Sequence, residues 1–201
     1  MKIAKPNFVV GIGASAGGLN AYKAFFDALP ADTGMAFVVI SHIYPAAHSE
    51  LTEILSRHTK MFVVLAASGT KVRANQVYVI PGNADLTIES DLLKVVSPRI
   101  RGNSQVDLFL ISLAAAMGAR AAGIVFSGYH GDGAEGCRKI KAAGGITFAQ
   151  DASAEVSGMP LSAQATGCID FVLPPNKIPD ELKKMPGRFV DVAKPGDTLI
   201  A

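Results

Sequence analysis

The amino-acid sequence predicts an α/β protein with a doubly wound, mostly parallel sheet. Short, continuous apolar runs are typical of strands that are buried on both faces, and they alternate along the chain with amphipathic segments. The stretch Gln76–Val96 differs, because its strands are closely spaced, alternate in polarity and flank turn residues 81–83. We therefore expect helices on both faces of the sheet and an antiparallel β-hairpin excursion within that stretch.

Nine short runs have the length and the bounding turn residues of strands. They are Phe8–Ile12, Ala36–Ile40, Phe62–Ala66, Gln76–Ile80, Leu86–Glu89, Leu92–Val96, Gly123–Phe126, Thr147–Ala149 and Phe171–Leu173. Four segments have apolar side chains at helical spacing. They cover Leu19–Leu29, which Pro30 closes, Ser49–His58, Val106–Met117 and Ala134–Ala143.

The composition indicates a sizeable buried core. Of the 201 residues, 49% are hydrophobic and 18% are charged, and the mean hydropathy is +0.31. The net charge is only +2 and basic runs are absent from the sequence, so nucleic acid is not an expected partner. The sequence contains neither an apolar run of about 18 residues nor a signal peptide. Cys137 and Cys168 are far apart in sequence, and we expect both to be reduced thiols in a cytoplasmic protein.

A glycine-rich turn at residues 11–18 joins the first predicted strand to the first helix. The pattern G-x-G-x-x-A at residues 11–16 fits a loose dinucleotide-binding fingerprint, which also requires an acidic residue after the second strand. The pattern G-x-S-x-G at residues 13–17 fits a nucleophile elbow, in which small neighbours let Ser15 stand exposed in a tight turn. A third interpretation is that Ser15 only caps the following helix.

The residue after the second strand favours the elbow. His42 follows that strand where the nucleotide fingerprint requires an acid. Because the carboxyl ends of parallel strands meet at one edge of a sheet, Ser15 and His42 should lie at the same edge. A neutral histidine can accept a serine proton near neutral pH. The alternative is an ordinary surface-loop histidine.

Asp132 completes a candidate triad. It follows the strand Gly123–Phe126 at another strand-to-helix turn, and a carboxylate there can fix the tautomer of a histidine. An aspartate at such a turn also commonly caps the next helix, and the two roles are compatible. The order Ser15, His42, Asp132 differs from that of the α/β-hydrolases. His130 is a rival for the base. The amide of Ala16 is the natural first oxyanion donor, with a second from the backbone of residues 128–130.

Together these residues resemble the catalytic domain of the CheB-type chemotaxis receptor methylesterases. The resemblance covers about residues 9–179, and residues 29–36 look most like the version fused to a receptor methyltransferase. The motifs that carry it are G-A-S-x-G-G at 13–18, His42, V-I-P-G at 79–82, D-G-A at 132–134, G-M-P at 158–160, Gly167 and D-F-V-L-P at 170–174.

The resemblance implies a serine hydrolase that cleaves glutamate γ-methyl esters on chemoreceptor helices and releases methanol. Some members of the family also deamidate receptor glutamines. Ser15 is then the nucleophile, His42 the general base and acid, and Asp132 its orienting carboxylate, with no metal or organic cofactor. A methylated chemoreceptor is the implied partner, and a receptor methyltransferase domain is a second one.

Three positions depart from the family pattern. Ala16 stands where the family often has threonine, Ser41 where it has glutamine, and residues 128–130 read G-Y-H instead of Gly-Met-Gly. Tyr129 therefore takes over the position of the second oxyanion donor. None of the departures removes a member of the triad.

The predicted domain boundaries are 1–182 for the catalytic domain and 183–201 for a C-terminal tail or linker. No receiver domain precedes residue 7, so we expect either an excised domain or a different regulation. Two other functions compete with the esterase. One is a regulatory or binding module that keeps the fold without turnover, and the other is a nucleotide-binding module.

Overall fold

The computed structural model describes residues 4–42, 48–100 and 102–185. The described residues contain nine strands and six α-helices. The strands are β1 (Val9–Ala14), β2 (Ala36–Ser41), β3 (Phe62–Leu65), β4 (Gln76–Val79), β5 (Asp85–Glu89), β6 (Leu92–Val96), β7 (Ala121–Val125), β8 (Ile146–Gln150) and β9 (Phe171–Leu173). The helices are α1 (Gly18–Ala28), α2 (His48–Ser56), α3 (Gln105–Met117), α4 (Ala134–Ala142), α5 (Gly158–Ala165) and α6 (Ile178–Leu182).

The predicted fold class is confirmed. Seven strands form one parallel sheet in the order β3-β4-β2-β1-β7-β8-β9, and β5 and β6 pair as a separate antiparallel hairpin. The connection from β1 turns one way to β2, whereas β7 lies on the other side of β1. The direction in which successive strands are added therefore reverses between β1 and β7. In such sheets, ligand sites form at the carboxyl ends of the strands beside this point.

Side chains of alternate residues of the central strands enter two separate cores. One core contains Val10 and Ile12 of β1 and is covered by aromatic side chains of α1, such as Phe25. The other contains Val9 of β1 and Val38 of β2 and is covered by α3, α4 and α5 and by the hairpin. Both faces are covered, which explains why the central strands are continuously apolar in sequence.

The hairpin prediction was wrong in one respect. Gln76–Val79, assigned to the antiparallel excursion, is the parallel strand β4 between β2 and β3. Three of its four residues are buried, as expected of an interior strand and not of a hairpin. The hairpin itself begins only at Asp85. Helices α5 and α6 were missed, because both are short and begin at or beside proline-containing segments.

The carboxyl-terminal segment lies mostly outside the described residues. The predicted tail, 183–201, is described only to Met185, a buried residue of the α1-side core. In the described segments, no helix has the length and apolar character that crossing a membrane requires.

Candidate active site

The turn between β1 and α1 carries Ser15. The strand ends at Ala14, Gly17 adopts a left-handed conformation with φ 73°, and α1 begins at Gly18. A residue with a Cβ atom is strained in that conformation, which explains the glycine after Ser15-Ala16. The Ser15 carbonyl accepts a hydrogen bond from the Gly18 amide at 3.0 Å. Gly17 is the N-cap, and no side chain caps α1, so Ser15 does not act as a helix cap.

The sheet register brings His42 to Ser15. Ala14 of β1 and Ser41 of β2 are direct partners in the parallel ladder. Ser15 and His42 each follow one of these partners, so their backbones leave the sheet about 4.8 Å apart, at the spacing of adjacent strands. Ser15 is half-buried, and its hydroxyl makes no hydrogen bond to any residue of the described chain.

His42 is paired with Asp132. The His42 Nε2 atom lies 2.6 Å from Asp132 Oδ2, and the two side chains are 12% and 3% exposed. The aspartate carboxylate is an acceptor, so Nε2 carries the proton and Nδ1 is the basic ring nitrogen. His130, the rival base, is exposed and has a left-handed backbone with φ 63°. The histidine bonded to Asp132 is therefore the one that follows β2.

Helix α3 fixes the Asp132 carboxylate. Its Oδ2 also accepts the Val106 amide at 3.0 Å, and its Oδ1 accepts the Asp107 amide at 2.8 Å. These donors belong to the first turn of α3, where amide groups lack partners within the helix and the dipole favours a negative charge. Asp132 was expected to be a possible cap of the helix that follows it. Instead it caps α3, and the N-cap of α4 is Gly133.

Asp107 returns the same interaction to α4. Its Oδ1 accepts the amides of Gly133 at 2.9 Å and Gly136 at 2.7 Å. Burial raises the pKa of Asp107, and the nearby Asp132 and Glu135 raise it further, while the Gly136 and Gly133 amides oppose the shift. Asp132 thus accepts amides from the first turn of α3, and Asp107 of α3 accepts amides from the start of α4. These bonds hold Asp132 in place.

A buried serine, Ser127, connects the Ser15 turn to neighbouring segments at the same edge of the sheet. The Ser127 hydroxyl lies 2.7 Å from the Ala16 carbonyl and 3.2 Å from the Val156 carbonyl, and it accepts the Val156 amide at 2.9 Å. Its own amide donates to Gln150 Oε1 at 3.0 Å, and its carbonyl accepts the Ser15 amide at 2.9 Å. Ser127 therefore fastens the backbone on both sides of Ser15.

Some backbone amides beside Ser15 stay open, among them those of Ala16 and Tyr129. Within the segments that the structure describes, the amides of Ala16 and Tyr129 donate no hydrogen bond. The Gly128 amide is already engaged, because it donates to the Val156 carbonyl at 2.9 Å. A Cβ atom on Gly128 would lie 3.0 Å from Ser15 Cβ, so this loop passes directly against the serine. The Tyr129 side chain is 61% exposed.

The chain was compared with models of known protein families. The family model described as CheB methylesterase matches residues 10–182. This chain belongs to the CheB methylesterase family. The match includes the turns that carry Ser15, His42 and Asp132.

Relatives with curated names extend the comparison to several organisms. The chain is 37% identical over 190 residues to a protein-glutamate methylesterase/protein-glutamine glutaminase of Burkholderia thailandensis, covering 91% of this chain and 52% of that protein. It is 32% identical to the similarly named protein of Pyrococcus horikoshii, covering 94% and 52%. A putative member from Leptospira interrogans is 33% identical, covering 83% and 89%. The chain thus spans about half the length of the first two relatives.

A solved structure supports the family assignment. The crystal structure of the Thermotoga maritima CheB methylesterase catalytic domain superposes with a TM-score of 0.81 at 28% identity. The alignment covers 89% of this chain and 98% of that domain. The described part of this CheB-family chain therefore corresponds to one catalytic domain.

The glycines that suggested nucleotide binding have a packing role in this family member. A Cβ atom on Gly11 would lie 2.5 Å from Leu110 Cδ2, and one on Gly13 would lie 2.2 Å from Val106 Cγ1. Both neighbours belong to α3, which packs directly on β1. The missing side chains at these two positions make room for a helix, so the fingerprint at residues 11–16 does not indicate a dinucleotide site. In the described residues, no group of three or more His, Cys, Asp or Glu side chains is arranged to hold a metal ion.

Proposed function

We propose that this domain is a serine hydrolase that removes methyl groups from glutamate γ-methyl esters of chemoreceptor helices and releases methanol. The observation that carries the proposal is the 2.6 Å contact between His42 Nε2 and Asp132 Oδ2 at the sheet edge where the half-buried Ser15 lies. A histidine held in one tautomer at the same sheet edge as a serine hydroxyl is the arrangement on which nucleophilic acyl transfer can be built. The names of the curated relatives support the same chemistry.

In the first step, Ser15 Oγ attacks the ester carbonyl carbon while His42 Nδ1 takes the hydroxyl proton. Asp132 accepts the hydrogen bond from Nε2 and stabilises the imidazolium that forms. Collapse of the tetrahedral intermediate breaks the bond to the methoxy oxygen, and the imidazolium returns the proton to that oxygen. Methanol leaves, and the glutamyl group remains on Ser15 as an ester.

In the second step, water attacks the acyl-enzyme with His42 Nδ1 again as the base. The proton then passes to Ser15 Oγ, which restores the serine and releases the glutamate carboxylate. A receptor glutamine gives the same acyl-enzyme with ammonia as the leaving group, so deamidation belongs to the proposal.

The oxyanion of both steps needs donors aimed at one point beside Ser15. We assign this role to the amides of Ala16 and Tyr129, which are free among the described residues on either side of the serine. The Gly128 amide is not a candidate, since the Val156 carbonyl occupies it. Tyr129 acts through its backbone, so replacing the usual methionine there changes the groove and leaves the donor in place.

The proposal includes the setting of the enzyme. We place it in the cytoplasm, where Cys137 and Cys168, both free thiols, stay reduced. Its partner is a methylated chemoreceptor. The resemblance of residues 29–36 to hybrid proteins supports a receptor methyltransferase domain as a second partner.

Methanol release from methylated chemoreceptor membranes tests the proposal. The comparison is between the wild type, Ser15→Ala and the control Ser56→Ala, which removes an exposed serine hydroxyl from α2. We expect release by the wild type and the control, and none above background by Ser15→Ala. Equal release by Ser15→Ala would contradict the nucleophile assignment.

A generic methyl ester assay on the same proteins separates the remaining possibilities. Serine-dependent cleavage of a small ester without release from receptors would retain the chemistry and reject the substrate. Failure of the wild type in both assays would favour the regulatory module over the esterase. Ammonia release from receptors that carry glutamine tests deamidation in parallel.

A further inference from the structure

The first turns of α3 and α4 hold each other through two carboxylates. Asp132 accepts amides from α3, and Asp107 accepts amides from α4, so each helix supplies the acceptor that the other lacks. Helix α4 needs an outside acceptor because its N-cap, Gly133, has no side chain. The acceptor comes from residue 107, which lies 26 positions earlier in sequence than Gly133.

Asp107 touches the Asp132 turn at two points. Its amide donates to Asp132 Oδ1, and its Oδ1 accepts the amide of Gly133, the residue directly after Asp132. The Asp107 amide therefore holds the carboxylate of Asp132, and the Asp107 carboxylate holds the backbone that follows Asp132. His42 contacts Asp132 and is not among the partners of Asp107.

We propose that Asp107 is a positioning residue for the general base, acting on His42 only through Asp132 by holding the Gly133 turn. The proposal rests on the proposed function, which makes His42 the base. A displacement of the Asp132 carboxylate would turn the His42 ring away from Ser15. Misplacement of a catalytic group by about 1 Å can lower a rate by about 100-fold.

The hydrogen bonds, and not the negative charge, carry this role. Asp107 faces other acidic groups, Asp132 and Glu135, and its burial disfavours the charged form. The buried thiol of Cys137 is a further titratable neighbour on α4. A charge in these surroundings is unfavourable, whereas a single oxygen, Oδ1, accepts both amides. An uncharged amide oxygen at the same place should therefore replace it.

Three single variants and a double-mutant cycle with Asp132→Ala test the proposal. Asp107→Ala removes the acceptor, Asp107→Asn keeps an acceptor oxygen, and Glu135→Gln removes an exposed carboxylate from the first turn of α4 as a matched control. We expect Asp107→Ala to lower kcat about 10- to 100-fold with KM within about twofold. Asp107→Asn and Glu135→Gln should stay within about threefold of the wild type.

The double-mutant cycle separates positioning from general support of the fold. In an Asp132→Ala background, Asp107→Ala should change kcat by less than about twofold, because residues that act through one another are not additive. An equal loss of kcat in both backgrounds would overturn the proposal. So would a loss in Asp107→Asn as large as that in Asp107→Ala. All rates are compared at a temperature where thermal unfolding shows each variant to be folded.

Proton NMR supplies a readout that does not depend on turnover. The imidazole proton shared by His42 and Asp132 should give a downfield signal that is absent in His42→Gln. We expect the signal to persist in Asp107→Asn and to shift upfield or exchange away in Asp107→Ala. An unchanged signal in Asp107→Ala would refute the positioning role even if the enzyme had another substrate. Loss of the proposed function would instead be seen as equal activity of the wild type and Ser15→Ala.

Discussion

Two strand-to-helix turns at the carboxyl edge of the sheet differ in how they are fastened. The first carries Ser15 between β1 and α1, and the second carries Asp132 between β7 and α4. Both end in a glycine with positive φ, 73° at Gly17 and 99° at Gly133, and neither helix has a side-chain cap of its own. Local backbone needs are therefore the same in the two turns.

The two turns differ in the side chains that hold them and in which of their own polar groups stay without a hydrogen bond. The Ser15 turn is held from outside by the neutral Ser127 hydroxyl, and the amide of Ala16 stays open among the described residues. The Asp132 turn is held by two acidic side chains, with Asp132 bonded to amides of α3 and Asp107 bonded to the amides of Gly133 and Gly136. A turn that presents a hydroxyl and free donors cannot use those donors for its own support. In the Asp132 turn, both oxygens of the Asp132 carboxylate are engaged, and under the proposed function a carboxylate fixed in this way needs no rearrangement during the reaction.

Removing the charge of Asp132 should have the largest effect. Asp132→Asn keeps the shape but can leave His42 in the wrong tautomer, and we expect kcat to fall by about 10³- to 10⁴-fold. Steady-state kinetics check this, with Asp151→Asn as the control at the end of another strand of the same edge. An unchanged rate would reduce Asp132 to a cap of α3.

Alanine at the two glycines should separate stability from activity. In Gly133→Ala, the new Cβ would lie 2.9 Å from Val106 Cγ1 and from Val125 Cγ2, and we expect a loss of about 2–4 kcal/mol in the free energy of unfolding. In Gly17→Ala, the nearest neighbour of the new Cβ is the Ser127 hydroxyl oxygen at 2.6 Å, and we expect a loss of about 1–3 kcal/mol in the free energy of unfolding. We expect kcat to fall further in this variant than in Gly133→Ala. Denaturant unfolding and kcat are measured on both. Equal activity in the two variants would show that the turns tolerate strain alike.

The neutral fastening is tested by Ser127→Ala. Loss of the hydroxyl leaves the Val156 amide without its acceptor, which should cost about 1–3 kcal/mol of stability. Ser112→Ala is a matched control, because the Ser112 hydroxyl likewise donates to a carbonyl, that of Phe109, and accepts an amide, that of Ile88. We expect similar destabilisation in the two variants and reduced kcat only in Ser127→Ala. A fall of kcat in both would remove the special role of Ser127.

The smallest effect concerns the pH dependence of stability. The pKa of Asp107 in the folded protein is raised above the ordinary 3.8, so folding favours the protonated form. Wild-type stability therefore falls as the pH rises from the unfolded pKa through the folded pKa of this group. Asp107→Asn keeps an acceptor and lacks this titration. We therefore expect it to gain stability over the wild type at neutral pH, with the difference vanishing below the unfolded pKa. Chemical unfolding at several pH values provides the test, and a difference that grows toward acid would contradict it.

The sequence located the parts of the site that lie directly after strands. Ser15, His42 and Asp132 could be assigned to one edge because parallel strands share their direction, and a turn residue that follows a strand must emerge there. The same local reasoning failed for Gln76–Val79, whose strand direction depends on its neighbours β2 and β3. It also gave no packing role to Gly11, since only the position of α3 shows why a side chain is excluded there.

The sequence by itself determined the fold class, the glycine turns and the three polar residues at the carboxyl edge, because apolar periodicity and turn chemistry are local properties. Only the tertiary structure decided which groups hold those residues. Ser127 contacts Ala16 across 111 positions, and Asp107 contacts Gly133 across 26. The partners of such a serine or aspartate depend on which helix ends and loops the packed sheet brings together. A hydrogen bond is short-ranged, so its partner follows from the fold and not from sequence spacing.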